Sequence, residues 1–145
     1  MASRQTYAAA AERPFTPTLK RLRGARLRPT RQRLALAKLL FESGDDRHVT
    51  AESLHEEALA GGVKVSLATV YNTLHQFTEA GLLQEVVVDP TRTYFDTNVK
   101  AHHHFYNPRT GYLKDVRLED ITLSSLPEPP DGAVVERVDV VIRLT

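Results

Sequence analysis

Ser66-Leu67-Ala68-Thr69-Val70-Tyr71-Asn72-Thr73-Leu74-His75-Gln76-Phe77-Thr78-Glu79-Ala80-Gly81 is the stretch that decides how this chain folds. Ser66 suits an N-cap, because its hydroxyl can accept one of the orphan N–H groups of a first helical turn, and Gly81 suits the stop. Between them Leu67, Val70, Leu74 and Phe77 recur at i, i+3, i+7 and i+10, which predicts one apolar stripe on a helix. The opposite side presents Thr69, Asn72, Thr73 and Gln76, with Tyr71 at the edge of the stripe. Asn and Gln can pair base edges, while Thr and Tyr can meet phosphate or a thymine methyl, so this face suits a DNA groove. A solvated helix face would be polar too, and the surroundings decide between the two.

Those surroundings are basic. Residues 1–48 carry 11 Lys/Arg against 4 Asp/Glu, whereas residues 49–145 carry 8 against 14, so the net charge of +1 conceals a strong asymmetry. From Lys20 to Arg33 there are seven basic residues (Lys20, Arg21, Arg23, Arg26, Arg28, Arg31, Arg33) and no acidic one. A basic block in an otherwise acidic chain fits a polyanion partner on one side only, and phosphate neutralisation dominates affinity for DNA.

Working outward, Leu19 and Leu22 predict a short helix ending near Gly24, and Pro29-Thr30 can open a second over Thr30 to Glu42. In the second, Leu34, Leu36, Leu39, Leu40 and Phe41 form the buried side, with Ser43-Gly44 as the stop. Thr50 can cap a third helix, Ala51 to Ala60, closed by Gly61-Gly62. After Gly81 the period becomes that of strands. Gln84 to Val88 and Thr93 to Thr97 flank Asp89-Pro90-Thr91-Arg92, a hairpin signal. Helices, a helix pair and then a hairpin predict an α+β chain that begins with a winged helix-turn-helix.

The remainder differs. His102 to Tyr106 and Tyr112 to Val116 read as strands, Leu118 to Leu126 as a short helix, and Val134 to Leu144 as strongly β-prone. A unit of about 45 residues is small for independent folding, so it should bury an apolar strand face against something, most simply a second copy of itself. The expected organisation is a mobile arm over residues 1–16, a winged-helix DNA-binding domain over 17–97 and a small α/β dimerisation and ligand-sensing domain over 98–145. The DNA-contact candidates are Arg28 and Arg33 of the basic block, Ser66, Thr69, Tyr71 and Asn72 of the recognition helix, and Arg92 in the hairpin turn.

The chain has no cysteine, which removes disulfides, thiolate nucleophiles and Cys-based zinc from consideration. Metal chemistry must use His, Asp and Glu. On a strand, His102 and His104 share one face while His103 points away, so the first two can serve one ion. Asp96, Asp115 and His48 are the candidates to complete the set. His55 and His75 read as helix-surface residues. No apolar run approaches the ~20 residues of a membrane-spanning helix, and Met1 to Arg13 has no apolar core of a secretory signal, so a cytoplasmic chain without membrane partners is expected.

Together these features resemble the ferric uptake regulator family of bacterial metal-responsive repressors over roughly residues 20–145. The likeness is carried by Leu27-Arg28-Pro29-Thr30-Arg31-Gln32-Arg33, His48-Val49-Thr50-Ala51-Glu52, Ser66 to Leu74, Tyr94-Phe95-Asp96 and the triple histidine followed by Gly111. The resemblance implies a regulatory metal site at His48, Asp96, His102, His104 and Asp115, bridging a DNA-binding and a dimerisation domain. It further implies that Arg28 enters the minor groove, that Tyr71 meets bases or phosphate, and that the partner is an A/T-rich inverted repeat in double-stranded DNA bound by a homodimer. The cysteines of the family's usual structural zinc are replaced by Asn107 and Thr110, so that site is not expected. No histidine follows His104, so a second site built on a late histidine is not expected either.

His102-His103-His104-Phe105-Tyr106, Tyr71-Asn72-Thr73-Leu74-His75 and Glu136 to Val141 are most similar to the iron response regulator branch of alphaproteobacteria. That likeness implies a sensor of haem status, with haem at His102, His103 and His104 weakening DNA binding at genes of iron and haem homeostasis. The alternative is a conventional repressor activated by Fe²⁺ or Mn²⁺, since N and O ligands suit both ions. A small His/Asp metalloenzyme would need a general acid or base beside an open metal position, and no such motif is present. A DNA-binding module without a ligand switch would leave the histidines unused. The chain is not expected to be an enzyme.

Overall fold

The computed structural model describes residues 16–145, so the expected N-terminal arm lies, except for Thr16, outside the described residues. Two compact units emerge. The first runs to Val86 and includes Thr93–Val99; the second comprises Val87–Arg92 and Lys100–Thr145.

Among the described residues, the first unit holds four helices: α1 (Thr16–Gly24), α2 (Arg31–Phe41), α3 (Ala51–Ala60) and α4 (Leu67–Glu79). Their starts obey the capping chemistry. Thr30, Thr50 and Ser66 each accept the backbone N–H three residues on, at 3.2, 3.1 and 3.1 Å. At α3 the cap is reciprocal, because Ser53 Oγ also accepts the Thr50 N–H.

Three of the helices end alike. Leu27, Val63 and Leu82 each donate N–H to a carbonyl five residues back, those of Leu22, Ala58 and Phe77. The preceding residue turns left-handed each time: Gly62 (φ 79°), Gly81 (φ 81°) and, after α1, Arg26 (φ 61°). The first helix ends at Gly24, as the sequence suggests, and the left-handed position two residues later falls on Arg26 rather than on a glycine.

The helices enclose one core. Leu22, Leu36, Ala37, Leu40, Leu54, Ala58, Val70, Leu74 and Phe77 are fully buried, joined by Val49 and Phe95 from the strands. On α4 the buried set is Val70, Thr73, Leu74 and Phe77, which shifts the predicted stripe. Leu67, expected inside, is 41% exposed, and Thr73, expected outside, is buried. The core begins a turn later than the first apolar residue, and Thr73 lies between Val70 and Phe77 on the same face.

Strands β1 (His48–Val49), β2 (Gln84–Asp89) and β3 (Arg92–Asp96) form a sheet in the order β1-β3-β2. The antiparallel β1–β3 register sets His48 opposite Asp96 and Val49 opposite Phe95. At the β2–β3 turn, Asp89 Oδ1 accepts from both the backbone N–H and the hydroxyl of Thr91, at 2.8 and 2.6 Å.

In the second unit β4 (His103–Asn107) is the central strand of the order β5-β4-β6, antiparallel to β5 (Tyr112–Val116) and parallel to β6 (Val141–Arg143). Two sequence expectations are corrected here. The helix foreseen over Leu118 to Leu126 is a single 3-10 turn, Leu118–Asp120. Of the β-prone stretch Val134 to Leu144, only Val141–Arg143 pairs as a strand. Propensity marks that stretch as fit for a sheet, but pairing needs a neighbour with open backbone groups.

Candidate metal centre and nucleic-acid interface

The second unit gathers three ligand-type atoms. The β4–β5 register puts His104 directly opposite Asp115, and His102 stands one residue before β4. Asp115 Oδ1 lies 3.1 Å from His102 Nε2 and 3.3 Å from His104 Nε2, and the two Nε2 atoms are 2.9 Å apart. Both histidines are nearly buried. His102 Nδ1 meets the carbonyl oxygen of Lys100, which can only accept, so Nδ1 carries the proton. In the neutral ring Nε2 then presents its lone pair to Asp115 and His104. This is the outer hydrogen bond that commonly fixes the tautomer of a metal-binding imidazole.

Two imidazole nitrogens and one carboxylate oxygen, converging in a buried place, are a donor set for a divalent cation. A divalent cation placed among the three acceptor atoms would satisfy them together.

His103 has another role. Its Nδ1 accepts the Val140 N–H at 3.0 Å, so it faces away from the triad and ties down the approach to β6.

The first unit contributes a pair. His48 Nε2 lies 3.1 Å from Asp96 Oδ2, an approach set by the β1–β3 register. Asp96 is fully buried, and its Oδ1 accepts the Asn98 N–H at 2.8 Å. Arg47, next to His48, braces this corner. It donates to the Leu39 carbonyl at 2.8 Å and to Glu57 Oε2 at 2.7 Å, while its own N–H donates to Thr97 Oγ1 at 2.8 Å.

The polar face of α4 also lies in the first unit. Arg28, Thr30, Gln32, Arg33, Thr69, Asn72, Thr73 and Gln76 line an open cleft between the start of α2 and the outer side of α4. Arg28 and Asn72 are exposed, as is Tyr71 beside the cleft. Ser66 and Thr69 are partly engaged with each other: the Ser66 hydroxyl donates to Thr69 Oγ1 at 2.9 Å.

Arg33, grouped with the phosphate contacts from sequence, is internally bonded. It donates to the Arg28 carbonyl at 2.9 Å and to Gln76 Oε1 at 2.8 Å. Because a guanidinium only donates, it holds the Gln76 amide with its oxygen toward Arg33, leaving the NH₂ free to face elsewhere. Arg92 is exposed at the hairpin turn, in the second unit, where its charge and the Thr91 and Tyr106 hydrogen bonds hold the Asp89 carboxyl below the usual range, Thr91 foremost.

Sequence reading missed His75. The expectation is a helix-surface residue, but its ring is half-buried and makes edge contacts with Tyr71, centroids 4.6 Å apart, and with Phe95 at 5.5 Å. The i, i+4 spacing to Tyr71 was a visible signal; the contact with Phe95 depends on how β3 packs against α4. His55 likewise is not free on the surface, since its Nε2 lies 2.9 Å from the Val65 carbonyl oxygen.

Residues 24–127 match the ferric uptake regulator family. The peroxide-responsive repressor PerR of Staphylococcus aureus (strain Mu50) is 29% identical over 104 residues, which cover 72% of this chain and 69% of PerR. Among solved structures, the ferric uptake regulator of Pseudomonas aeruginosa with manganese superposes with a TM-score of 0.64 at 26% identity, over 86% of this chain and 94% of the other. The Vibrio cholerae ferric uptake regulator shares the fold, with a TM-score of 0.65 at 20% identity over 86% and 95% of the two chains.

Proposed function

This chain belongs to the ferric uptake regulator family and is a transcription regulator, not an enzyme; from that premise we propose that it is a DNA-binding repressor whose affinity for its operator is set by a directly bound divalent cation, Fe²⁺ or Mn²⁺. The observation that carries the reading is the His102–His104–Asp115 triad, with the His102 tautomer fixed by the Lys100 carbonyl. The neighbour from Pseudomonas aeruginosa was solved with manganese, and that from Francisella tularensis, which shares the fold at 18% identity, with iron.

Two imidazoles and one carboxylate leave coordination positions of either ion open, and further O or N donors would satisfy them. His48 and Asp96, candidates for the set from the sequence, are the residues that the resemblance implies for them. Binding of the ion would favour the DNA-binding state of the regulator.

Arg28, Tyr71, Asn72 and Thr69 form the contacting face, Ser66 orders the start of the recognition helix, and Arg92 adds charge from the hairpin. Arg33 acts there as a strut. The regulator works as a homodimer, which supplies the second recognition helix that an inverted repeat requires. Exposed Val134, Val135 and Val138 in the second unit support assembly with another copy.

For haem, the sequence resemblance to iron response regulators is the only support. His102 and His104 pack edge to face with centroids 4.5 Å apart, and His103 is committed to Val140, so a porphyrin would have to part the rings first.

Selection of bound fragments from random duplex DNA tests the proposal, using metal-free protein, protein with Mn²⁺ and protein with haem. Enrichment of an A/T-rich inverted repeat only with Mn²⁺ is the expected result. Enrichment by metal-free protein, abolished by haem, would replace direct metal sensing with haem sensing.

A further inference from the structure

The contacts of His75 reach in two directions within the first unit. Toward solvent lies Tyr71, one helical turn earlier on α4 and 43% exposed, its ring at 66° to the imidazole. Toward the core lies Phe95, fully buried on β3, its ring at 89° to the imidazole. Edge-to-face geometry is the arrangement that aromatic quadrupoles favour, and it resists rotation of either partner. Phe95 sits across from Val49, and the adjacent pair in the same register is His48 and Asp96. One unbroken line of contacts therefore runs from the exposed tyrosine of the recognition helix to the strand pair that carries two ligand-type side chains.

A tyrosine in the second turn of a helix has several staggered positions open to it, and an exposed ring with no lateral contact samples them. Here the imidazole occupies the space on one side of the ring, and Phe95 blocks the imidazole from retreating. Phe95 cannot shift without moving β3, because its backbone is held in the β1–β3 ladder and its ring is closed in the core.

We infer that His75 is a positioning residue that holds the Tyr71 ring in its DNA-contacting orientation by wedging between Tyr71 and Phe95, and thereby makes that contact responsive to the strand carrying Asp96. The inference rests on the DNA-binding reading above. His75 itself touches no DNA in this account; its effect is exerted through Tyr71.

A double-mutant cycle on the full-length protein tests it, with affinity for the selected duplex as readout and Mn²⁺ present throughout. The variants are Tyr71→Ala, His75→Leu, the double variant, and His75→Phe as the ring-conserving control. His75→Leu is expected to weaken binding roughly 2- to 10-fold, the range such aromatic pairs span. It should cost nothing further once Tyr71 is Ala, and His75→Phe should restore near wild-type affinity. Thermal unfolding of each variant, measured alongside, separates loss of positioning from loss of fold. Additive losses for Tyr71→Ala and His75→Leu in a well-folded protein that binds DNA would overturn the relay alone. A wild-type chain that binds no duplex at all would overturn the DNA-binding reading and the relay with it.

Discussion

The two units of the chain solve the burial problem differently. In the first, helices and the inner face of a small sheet close over a continuous apolar cluster, with Leu22, Leu36, Leu40, Leu54, Leu74, Phe77 and Phe95 all fully buried. In the second, of roughly 50 residues, burial centres on Tyr106, Leu113, Val116 and Val88. Val134 there is 90% exposed, and Tyr112, Leu118, Leu123, Leu126 and Val135 are each exposed by about half. Polar bonds do more of the tethering: Tyr106 donates to Asp89 Oδ2 at 3.0 Å and Arg143 to the Val88 carbonyl at 3.0 Å. A self-sufficient core suits a unit that must present a rigid helix, while an apolar surface left open suits a unit whose fold is completed by association.

The largest expected effect breaks the first half of that contrast. Phe77→Ala removes a fully buried ring that packs near Phe41, centroids 6.5 Å apart. It should cost about 3–5 kcal/mol in urea unfolding. Val134→Ser should leave stability within about 0.5 kcal/mol at low concentration, yet raise the dimer dissociation constant in sedimentation. If Val134→Ser left assembly unchanged, this valine would not be part of the self-associating surface.

Next comes the basic cleft, where Arg28 and Arg33 look equivalent in sequence. Arg28→Ala should lower the slope of log affinity against log salt by about one, as expected for a lost phosphate contact. Arg33→Ala should weaken binding with the slope unchanged, because its guanidinium is spent on the Arg28 carbonyl and Gln76. Equal falls in slope would make Arg33 a phosphate contact after all.

The smallest effect concerns Asp89, whose depressed pKa arises first from the Thr91 hydroxyl, then the Thr91 N–H and Tyr106. A carboxyl whose pKa is lower folded than unfolded adds stability above its unfolded value, and that increment disappears as pH falls through the folded one. Acidification below about pH 4 should therefore destabilise wild type more than Asp89→Asn in chemical unfolding. Parallel pH profiles would remove Asp89 from the bonds that stabilise the second unit.

Local chemistry was legible in the sequence, and long-range register was not. Thr30, Thr50 and Ser66 cap their helices as their positions suggest, because a cap is decided within four residues. His102 and His104 could be placed on one side of a strand from period alone. Asp96, Asp115 and His48 could be named as candidates to complete the set, but the registers that put Asp115 opposite His104 and His48 opposite Asp96 are specified by no local pattern. Arg33 and His75 show why the rest was not legible: a charged or aromatic side chain reads the same in sequence whether it faces a ligand or braces a neighbour. In the β-prone tail, valines that pair and valines that stay exposed have the same propensity; what separates them is the presence of an adjacent strand.

The central claim is that a cation held by His102, His104 and Asp115 sets DNA affinity. The direct test is fluorescence-anisotropy titration of the selected duplex, with metal-free and Mn²⁺-loaded protein, for wild type and for His102→Ala combined with His104→Ala. The account predicts that Mn²⁺ tightens wild-type binding by at least tenfold, about 1.4 kcal/mol of coupling. The double variant, with an intact fold by circular dichroism, should bind equally weakly with or without the metal. A double variant that still tightens its grip on DNA when Mn²⁺ is added would contradict the account.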